Sequence, residues 1–180
     1  MKSCPCRWLS SSVLLGTRLL TNPVNLQGMQ YLSANGVQHR DLKAQNCLVV
    51  EHKSGDFHVK LADFGLSKSK KLVASFTRRS SQHGGTITHM APEILLNDSD
   101  ELFCEESDVY SYGIVMWEVL SRAVPFEGLH QVQIRAQIDQ EQRPSPIPAE
   151  SPSALIELME FCWAQEVAMR PKFKQVLDDL

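Results

Sequence analysis

The first 40 residues of this 180-residue sequence contain no aspartate and no glutamate. This stretch therefore offers no carboxylate that could pair with a lysine. The first 20 residues also contain Lys2, Arg7, Arg18 and four serines, a composition that faintly resembles a transit peptide. The simpler interpretation, which we favour, is an alternative start that happens to lack acidic residues.

The sequence also lacks a long apolar run and a strong net charge. No run reaches the roughly 18 apolar residues of a membrane-spanning helix, so we expect no membrane span. The formal net charge is −3, from 18 basic and 21 acidic side chains, and gives no reason to expect a nucleic-acid partner. With 43% hydrophobic residues, the chain can bury the core of one domain of ordinary size.

The sequence also lacks an even number of cysteines, because it contains five. Three of them lie in apolar stretches, which favours buried free thiols in a reducing compartment, and we expect a cytoplasmic protein. Cys4 and Cys6 are separated by one residue, which is not the usual spacing of a metal-binding pair. A zinc site is therefore disfavoured.

The first half of the sequence predicts one helix, one hairpin and one long loop. A helix is expected from Leu20 to Ala34, with Pro23 near its start and Asn35-Gly36 after its end. Two strand-like runs, Cys47 to Val50 and Phe57 to Ala62, predict a small β-hairpin. Residues 66–90 are rich in Ser, Thr, Lys and Arg without apolar periodicity, and predict a long mobile loop.

The second half predicts helices separated by short loops. A helix after Ser107 is apolar nearly throughout from Tyr112 to Leu120, as in a buried central helix. Further helices are expected over 129–139, from Leu155 to Cys162 and from Phe173 to Leu180, with a proline-rich loop over 143–152. The predicted fold class is therefore α+β, mostly α.

Three polar motifs occur in a fixed order in the loops. They are His39-Arg40-Asp41-Leu42-Lys43-Ala44-Gln45-Asn46, then Asp63-Phe64-Gly65, then Ala91-Pro92-Glu93. In this order and spacing they resemble the signature of protein kinases. The resemblance implies a kinase-like C-terminal lobe over residues 20–180, an N-terminal segment 1–19 outside the family, and ATP-dependent phosphoryl transfer to protein hydroxyls.

The resemblance also implies a role for each polar residue. Asp41 would be the catalytic base, and Lys43 would reach the transferred phosphate as a point charge. Asn46 and Asp63 would bind the cofactors, Mg²⁺ and ATP, through an amide and a carboxylate oxygen. Phe64 would be an apolar plug whose packing differs between active and inactive states.

Lys43, two residues after the base, resembles Ser/Thr-specific kinases rather than tyrosine-specific ones. Other segments are similar to the tyrosine-kinase-like group, near the receptor-interacting or mixed-lineage kinases. These segments are Asp108-Val109-Tyr110-Ser111-Tyr112-Gly113, Pro125-Phe126, Arg143-Pro144, Cys162-Trp163 and Arg170-Pro171.

Further matches concern contacts between loops and helices. By resemblance, Glu93 and Arg170 form a buried ion pair, and Asp108 bonds to the backbone around His39-Arg40. Thr86 would contact the base through its hydroxyl. Arg40 would receive a phosphate that an upstream kinase places on the activation segment, residues 63–93.

Gln38, His89 and Val167-Ala168 depart from the family pattern, and one half of the fold is not recognised. Gln38 and His89 stand where an apolar and an aromatic residue are usual. Residues 1–38 show neither the glycine-rich loop nor the lysine–glutamate pair of an N-terminal lobe, so we expect that lobe to be absent and the chain to be weak or inactive alone. The alternative is a non-catalytic kinase-lobe interaction module.

Overall fold

The computed structural model of the protein describes residues 23–51, 57–69, 86–97 and 102–180. The predicted segment 1–19, Cys4, Cys6 and residues 70–85 of the predicted long loop lie outside the described residues. Of the described elements, six are α-helices: α1 (Pro23–Ala34), α2 (Pro92–Asn97), α3 (Glu105–Ser121), α4 (Gln131–Asp139), α5 (Ser153–Cys162) and α6 (Phe173–Asp178). None of these helices is long and apolar enough to cross a membrane.

Four short strands form two separate antiparallel pairs. The strands are β1 (Val37–Gln38), β2 (Cys47–Glu51), β3 (Phe57–Leu61) and β4 (Lys68–Ser69). β2 pairs with β3, and this pair is the predicted hairpin, in the register Cys47↔Leu61. β1 pairs with β4 and was not predicted. The start of the expected long loop is therefore tied to the segment that precedes His39.

Helix α3 is the centre of the core and is buried on nearly all sides. It begins at Glu105, three residues before the predicted start, and its first turn contains three acidic residues that favour the positive end of the helix dipole. The helix ends where Arg122 adopts a left-handed φ of 57° and its N–H bonds to Glu118 O at 2.8 Å.

Glycine allows α3 to pack closely against the end of α5. A Cβ atom on Gly113 would lie 3.0 Å from the backbone nitrogen of Trp163 and 3.1 Å from Cys162 Cβ. Only a residue without a side chain fits this contact without a shift of the backbone. The free thiol of Cys162 is fully buried there, and burial raises its pKa to about 12. The prediction of a buried free thiol is confirmed at this position.

The predicted Glu93–Arg170 ion pair joins α2 to the segment before α6. Arg170 Nη1 and Nη2 donate to the two carboxylate oxygens of Glu93 at 2.8 and 2.9 Å. The remaining N–H groups of Arg170 bond to the carbonyls of Ala164, Glu106 and Gln165. All five donors of a fully buried guanidinium are therefore satisfied.

Candidate active site

A buried carboxylate at the start of α3 holds the beginning of the segment His39 to Asn46. Asp108 accepts hydrogen bonds from the backbone N–H groups of His39 and Arg40 at 2.8 and 2.9 Å, as predicted. Arg40 has a left-handed φ of 70°, which a residue without glycine's freedom adopts only when its surroundings enforce it. Burial raises the pKa of Asp108, although the two N–H donors oppose that rise.

Asp41 follows this bend and lies at the centre of a hydrogen-bond network. Lys43 Nζ donates to Asp41 Oδ2 at 2.7 Å, and Asn46 Nδ2 donates to the same oxygen at 3.2 Å. Thr86 donates to Asp41 Oδ1 through its N–H at 3.0 Å and its hydroxyl at 3.1 Å. The predicted contact between the Thr86 hydroxyl and the Asp41 carboxylate is therefore confirmed.

These donors control the charge of Asp41. Burial raises the pKa of this carboxyl. The hydrogen bonds from Lys43 and from the N–H of Thr86, together with the Lys43 charge, lower the pKa by more than burial raises it, so the pKa lies below its usual value. Asp41 is therefore ionised at neutral pH and can accept a proton. Lys43 is itself held between Asp41 and the Thr86 hydroxyl, 2.8 Å away.

The side-chain amide of Asn46 is held through its nitrogen. Its amide nitrogen donates to Asp41 O at 2.7 Å, so the amide oxygen is the atom available for a cation. Asp63 has a left-handed φ of 61°, is exposed, and accepts from Gly65 N–H at 3.3 Å. No hydrogen bond within the described part of the chain joins Asp63 to Asn46 or Asp41.

The donor set fits Mg²⁺ only as a partial site. Among residues 23–51, 57–69, 86–97 and 102–180, no group of three or more His, Cys, Asp or Glu side chains could hold a metal. Mg²⁺ bound with a nucleotide needs no such group, since one or two protein oxygens, phosphate oxygens and water complete its coordination. The amide of Asn46 and the carboxylate of Asp63 are oxygen ligands of the kind that this hard cation prefers.

Phe64 is half-exposed, with 48% of its surface accessible. Its ring centroid lies 5.2 Å from that of His39, which is fully buried. His39 Nε2 lies 3.2 Å from Ala62 O, directly before Asp63. His39 therefore links the Asp41 loop to the Asp63-Phe64-Gly65 turn.

Glu118, a buried carboxylate on α3, was not predicted from the sequence. Glu118 Oε2 accepts from Ala44 N–H at 3.2 Å and lies 2.8 Å from His89 Nε2. One oxygen therefore joins the segment that contains Asp41 to the segment before α2. The signal was present, because Glu118 is the only charged residue in the otherwise apolar run from Tyr112 to Leu120. A lone buried charge needs a partner.

Comparisons with known proteins identify the family of this chain. The sequence model of the family described as protein tyrosine and serine/threonine kinase matches residues 22–180. The chain is 37% identical over 152 residues to a "Probable serine/threonine-protein kinase" of Dictyostelium discoideum, covering 84% of this chain and 15% of that protein. It is 40% identical over 151 residues to receptor-interacting serine/threonine-protein kinase 2 of Bos taurus, covering 79% and 27%.

A third relative is a serine/threonine/tyrosine-protein kinase of Arabidopsis thaliana, 34% identical over 151 residues. The match covers 84% of this chain and 36% of that relative. The chain thus spans about a third or less of the length of these relatives. The family match covers nearly the whole chain, and this chain therefore belongs to the protein tyrosine and serine/threonine kinase family.

Proposed function

We propose that this chain is the C-terminal lobe of a protein Ser/Thr kinase domain, extending over residues 20–180. In this proposal it transfers phosphate from ATP to protein hydroxyls when an N-terminal lobe completes the site. The observation that carries the proposal is the Asp41 carboxylate held by both Lys43 and Thr86. An ionised carboxylate beside a lysine and a threonine hydroxyl suits acceptance of a proton from a substrate hydroxyl next to a phosphate.

Each proposed role uses a group that is already oriented. Asp41 accepts the substrate proton, and Lys43 lies 2.7 Å from it, where its charge can also face the transferred phosphate. Asn46 and Asp63 are the proposed ligands of Mg²⁺, which when bound would neutralise charge on the phosphates. ATP is the phosphate donor, and the protein substrate supplies the hydroxyl.

We propose that the chain binds Mg-ATP weakly by itself. A cavity that touches Asp41 has a volume of about 10 Å³, whereas sites that enclose small molecules measure roughly 300–1,000 Å³. Neither Asn46 nor Asp63 lines this cavity, so it does not enclose the proposed cation ligands. A nucleotide held by Asn46 and Asp63 alone would keep much of its contact with water.

Lys43 and its bond to Thr86 favour Ser/Thr over tyrosine as the substrate residue. The segments around Asp108 and Arg170 favour the tyrosine-kinase-like group. An upstream kinase acting on the activation segment and a cytoplasmic location stay predictions.

A chimera tests the proposed function directly. Residues 23–180 replace the matching segment of the bovine receptor-interacting kinase, and phosphate transfer to a generic protein is measured with phosphoamino-acid analysis. We expect phosphoserine and phosphothreonine. Asp41→Asn should lower the rate by about 10²–10⁴-fold, the usual contribution of a positioned base. Asp139→Asn, on the exposed side of α4, is the matched control. A folded chimera whose Asp41→Asn variant keeps full activity would contradict the assignment.

A second candidate function is a non-catalytic interaction module. Leu48 and Val50 lie on one face of β2 and are 52% and 37% exposed, which is unusual for two apolar neighbours on a strand. A chimera that folds and binds Mg-ATP but transfers no phosphate would favour this function. Robust phosphorylation by the isolated 180-residue chain would contradict both this candidate and the proposed weak ATP binding.

A further inference from the structure

The side chain of Arg40 has a neutral partner two residues earlier in the chain. Arg40 Nε and Nη2 both donate to Gln38 Oε1, at 3.2 and 2.8 Å. The guanidinium carbon lies 4.6 Å from the centroid of the Phe103 ring, close enough for a cation–π contact. One edge and one face of this guanidinium are therefore engaged by side chains of the same chain.

Gln38 is fixed in the orientation that this contact requires. Its amide nitrogen donates to Phe103 O at 2.6 Å, so its amide oxygen faces Arg40. The residue is 4% exposed, and its backbone pairs with Lys68 in the β1–β4 sheet. Because both ends of the amide are bonded and the backbone is paired, Gln38 has little freedom to leave Arg40.

Gln38 Oε1 binds Arg40 in the same geometry in which an anion binds an arginine side chain. The Nε–H and Nη2–H groups form the edge of a guanidinium that carboxylates and phosphates commonly occupy. Here a single carbonyl oxygen accepts from both groups. An amide oxygen satisfies the direction of the two donors but brings no charge, so the bond persists without any modification of the chain.

Arg40 also takes part in the loop that contains Asp41. Its backbone N–H donates to Asp108, and its φ of 70° sets the bend directly before Asp41. A side chain held by Gln38 and Phe103 restrains that bend from the other side. The position of Asp41 therefore depends on contacts at both the backbone and the side chain of Arg40.

We propose that Gln38 is a positioning residue that holds Arg40, and through it the Asp41 loop, in place of a phosphate on the activation segment. This inference rests on the proposed kinase function. It implies that phosphorylation of the activation segment adds little to the order of the Asp41 loop. A phosphate that engaged this edge of Arg40 would first have to displace the buried amide of Gln38.

Gln38→Met tests the proposal, because methionine has a similar shape and no hydrogen-bonding amide. The full 180-residue chain is used, with Gln131→Met on the exposed side of α4 as the matched control. Two readouts are taken, the NMR signal of the Arg40 Nε–H group and the melting temperature. Each is measured in inorganic phosphate and in chloride at equal ionic strength.

In the wild-type chain we expect an Arg40 Nε–H signal protected from exchange and unchanged by phosphate. Gln38→Met should lose that protection and lower Tm by about 2–4 °C in chloride. Phosphate should restore part of this loss in Gln38→Met. It should restore none in Gln38→Met combined with Arg40→Ala, and the control should match the wild type.

Two results would overturn the proposal. One is a wild-type Arg40 signal that shifts with phosphate, which shows that Gln38 does not occupy the guanidinium. The other is a Gln38→Met variant with an unchanged Arg40 signal. The wild-type arm needs no substitution, so it decides the question even if Gln38→Met fails to fold. No readout requires phosphate transfer, so failure of the proposed kinase function would be seen separately in the chimera.

Discussion

Removing the charge of Glu93 should destabilise the fold strongly, because it leaves the buried guanidinium of Arg170 without a counter-ion. The Arg170 side chain is 0% exposed and that of Glu93 is 14% exposed. Loss of one partner of a buried ion pair costs about 3–5 kcal/mol. Three backbone carbonyls continue to accept from Arg170, so we expect Glu93→Gln to cost about 3 kcal/mol, the lower end of that range.

Geometry adds to the electrostatic loss. The glutamine oxygen can replace Glu93 Oε1, which also accepts from Ser107 Oγ at 2.8 Å. Its NH₂ group would then face Arg170 Nη2, so that two donors meet where a donor and an acceptor met before. No rotation of the amide satisfies both Arg170 nitrogens.

Urea unfolding followed by circular dichroism measures this effect. With a slope of about 2 kcal/mol per molar urea, a loss of 3 kcal/mol lowers the unfolding midpoint by about 1.5 M. Glu160→Gln, on the exposed side of α5, is the matched control and should leave the midpoint unchanged. A Glu93→Gln midpoint equal to that of the control would refute the reasoning.

A double substitution separates charge from packing. Glu93→Leu with Arg170→Met replaces the ion pair by apolar side chains and leaves no unpaired buried charge. We expect it to be less destabilising than Glu93→Gln, because the desolvation cost of the guanidinium disappears. A double variant less stable than Glu93→Gln would instead show that the hydrogen bonds from Arg170 to backbone carbonyls contribute most of the stability.

The remaining predictions concern Asp41 and two glycines. Because the pKa of folded Asp41 lies below its unfolded value, its ionised form stabilises the fold above the ordinary pKa of Asp, and this contribution is lost as pH falls through the folded pKa. Lys43→Met should raise the Asp41 pKa, as measured by an NMR titration of its carboxyl carbon; an unchanged titration would rule out Lys43 as the cause. Gly113→Ala should cost about 1–3 kcal/mol in thermal unfolding, because its Cβ would meet the backbone of Trp163. Gly28→Ala meets only the flexible end of a leucine, so it should be neutral or stabilising; equal losses for the two variants would contradict this account.

Much of the site could be predicted from the sequence because its residues occur in short, strongly constrained motifs. The positions of Asp41, Asn46 and Asp63 are fixed by their spacing, and the contacts of Asp108 and Thr86 follow from the same resemblance. Each of these contacts involves a polar side chain whose hydrogen-bonding partner could be predicted from its position in a motif. Their proposed catalytic and metal-binding roles stay predictions.

Features without periodicity could not be predicted. The strands β1 and β4 have two residues each, too few to show alternation, and their pairing joins Val37 and Ser69 across 32 positions. The first turn of α3 was missed because Glu105 and Glu106 interrupt the apolar pattern, although acidic residues favour that end of a helix. Gln38 was noticed as unusual, but only the fold shows that its amide reaches both Arg40 and Phe103.

Two carboxylates of α3 together limit where the helix can accept an inserted residue. Asp108 and Glu118 hold the two ends of the Asp41 segment, and the helix sets their separation at about 15 Å, from ten residues at 1.5 Å each. One residue inserted between them would rotate one carboxylate by about 100° relative to the other. The two could then no longer bond to the same loop. The length of α3 between these positions is therefore fixed by the loop that it supports.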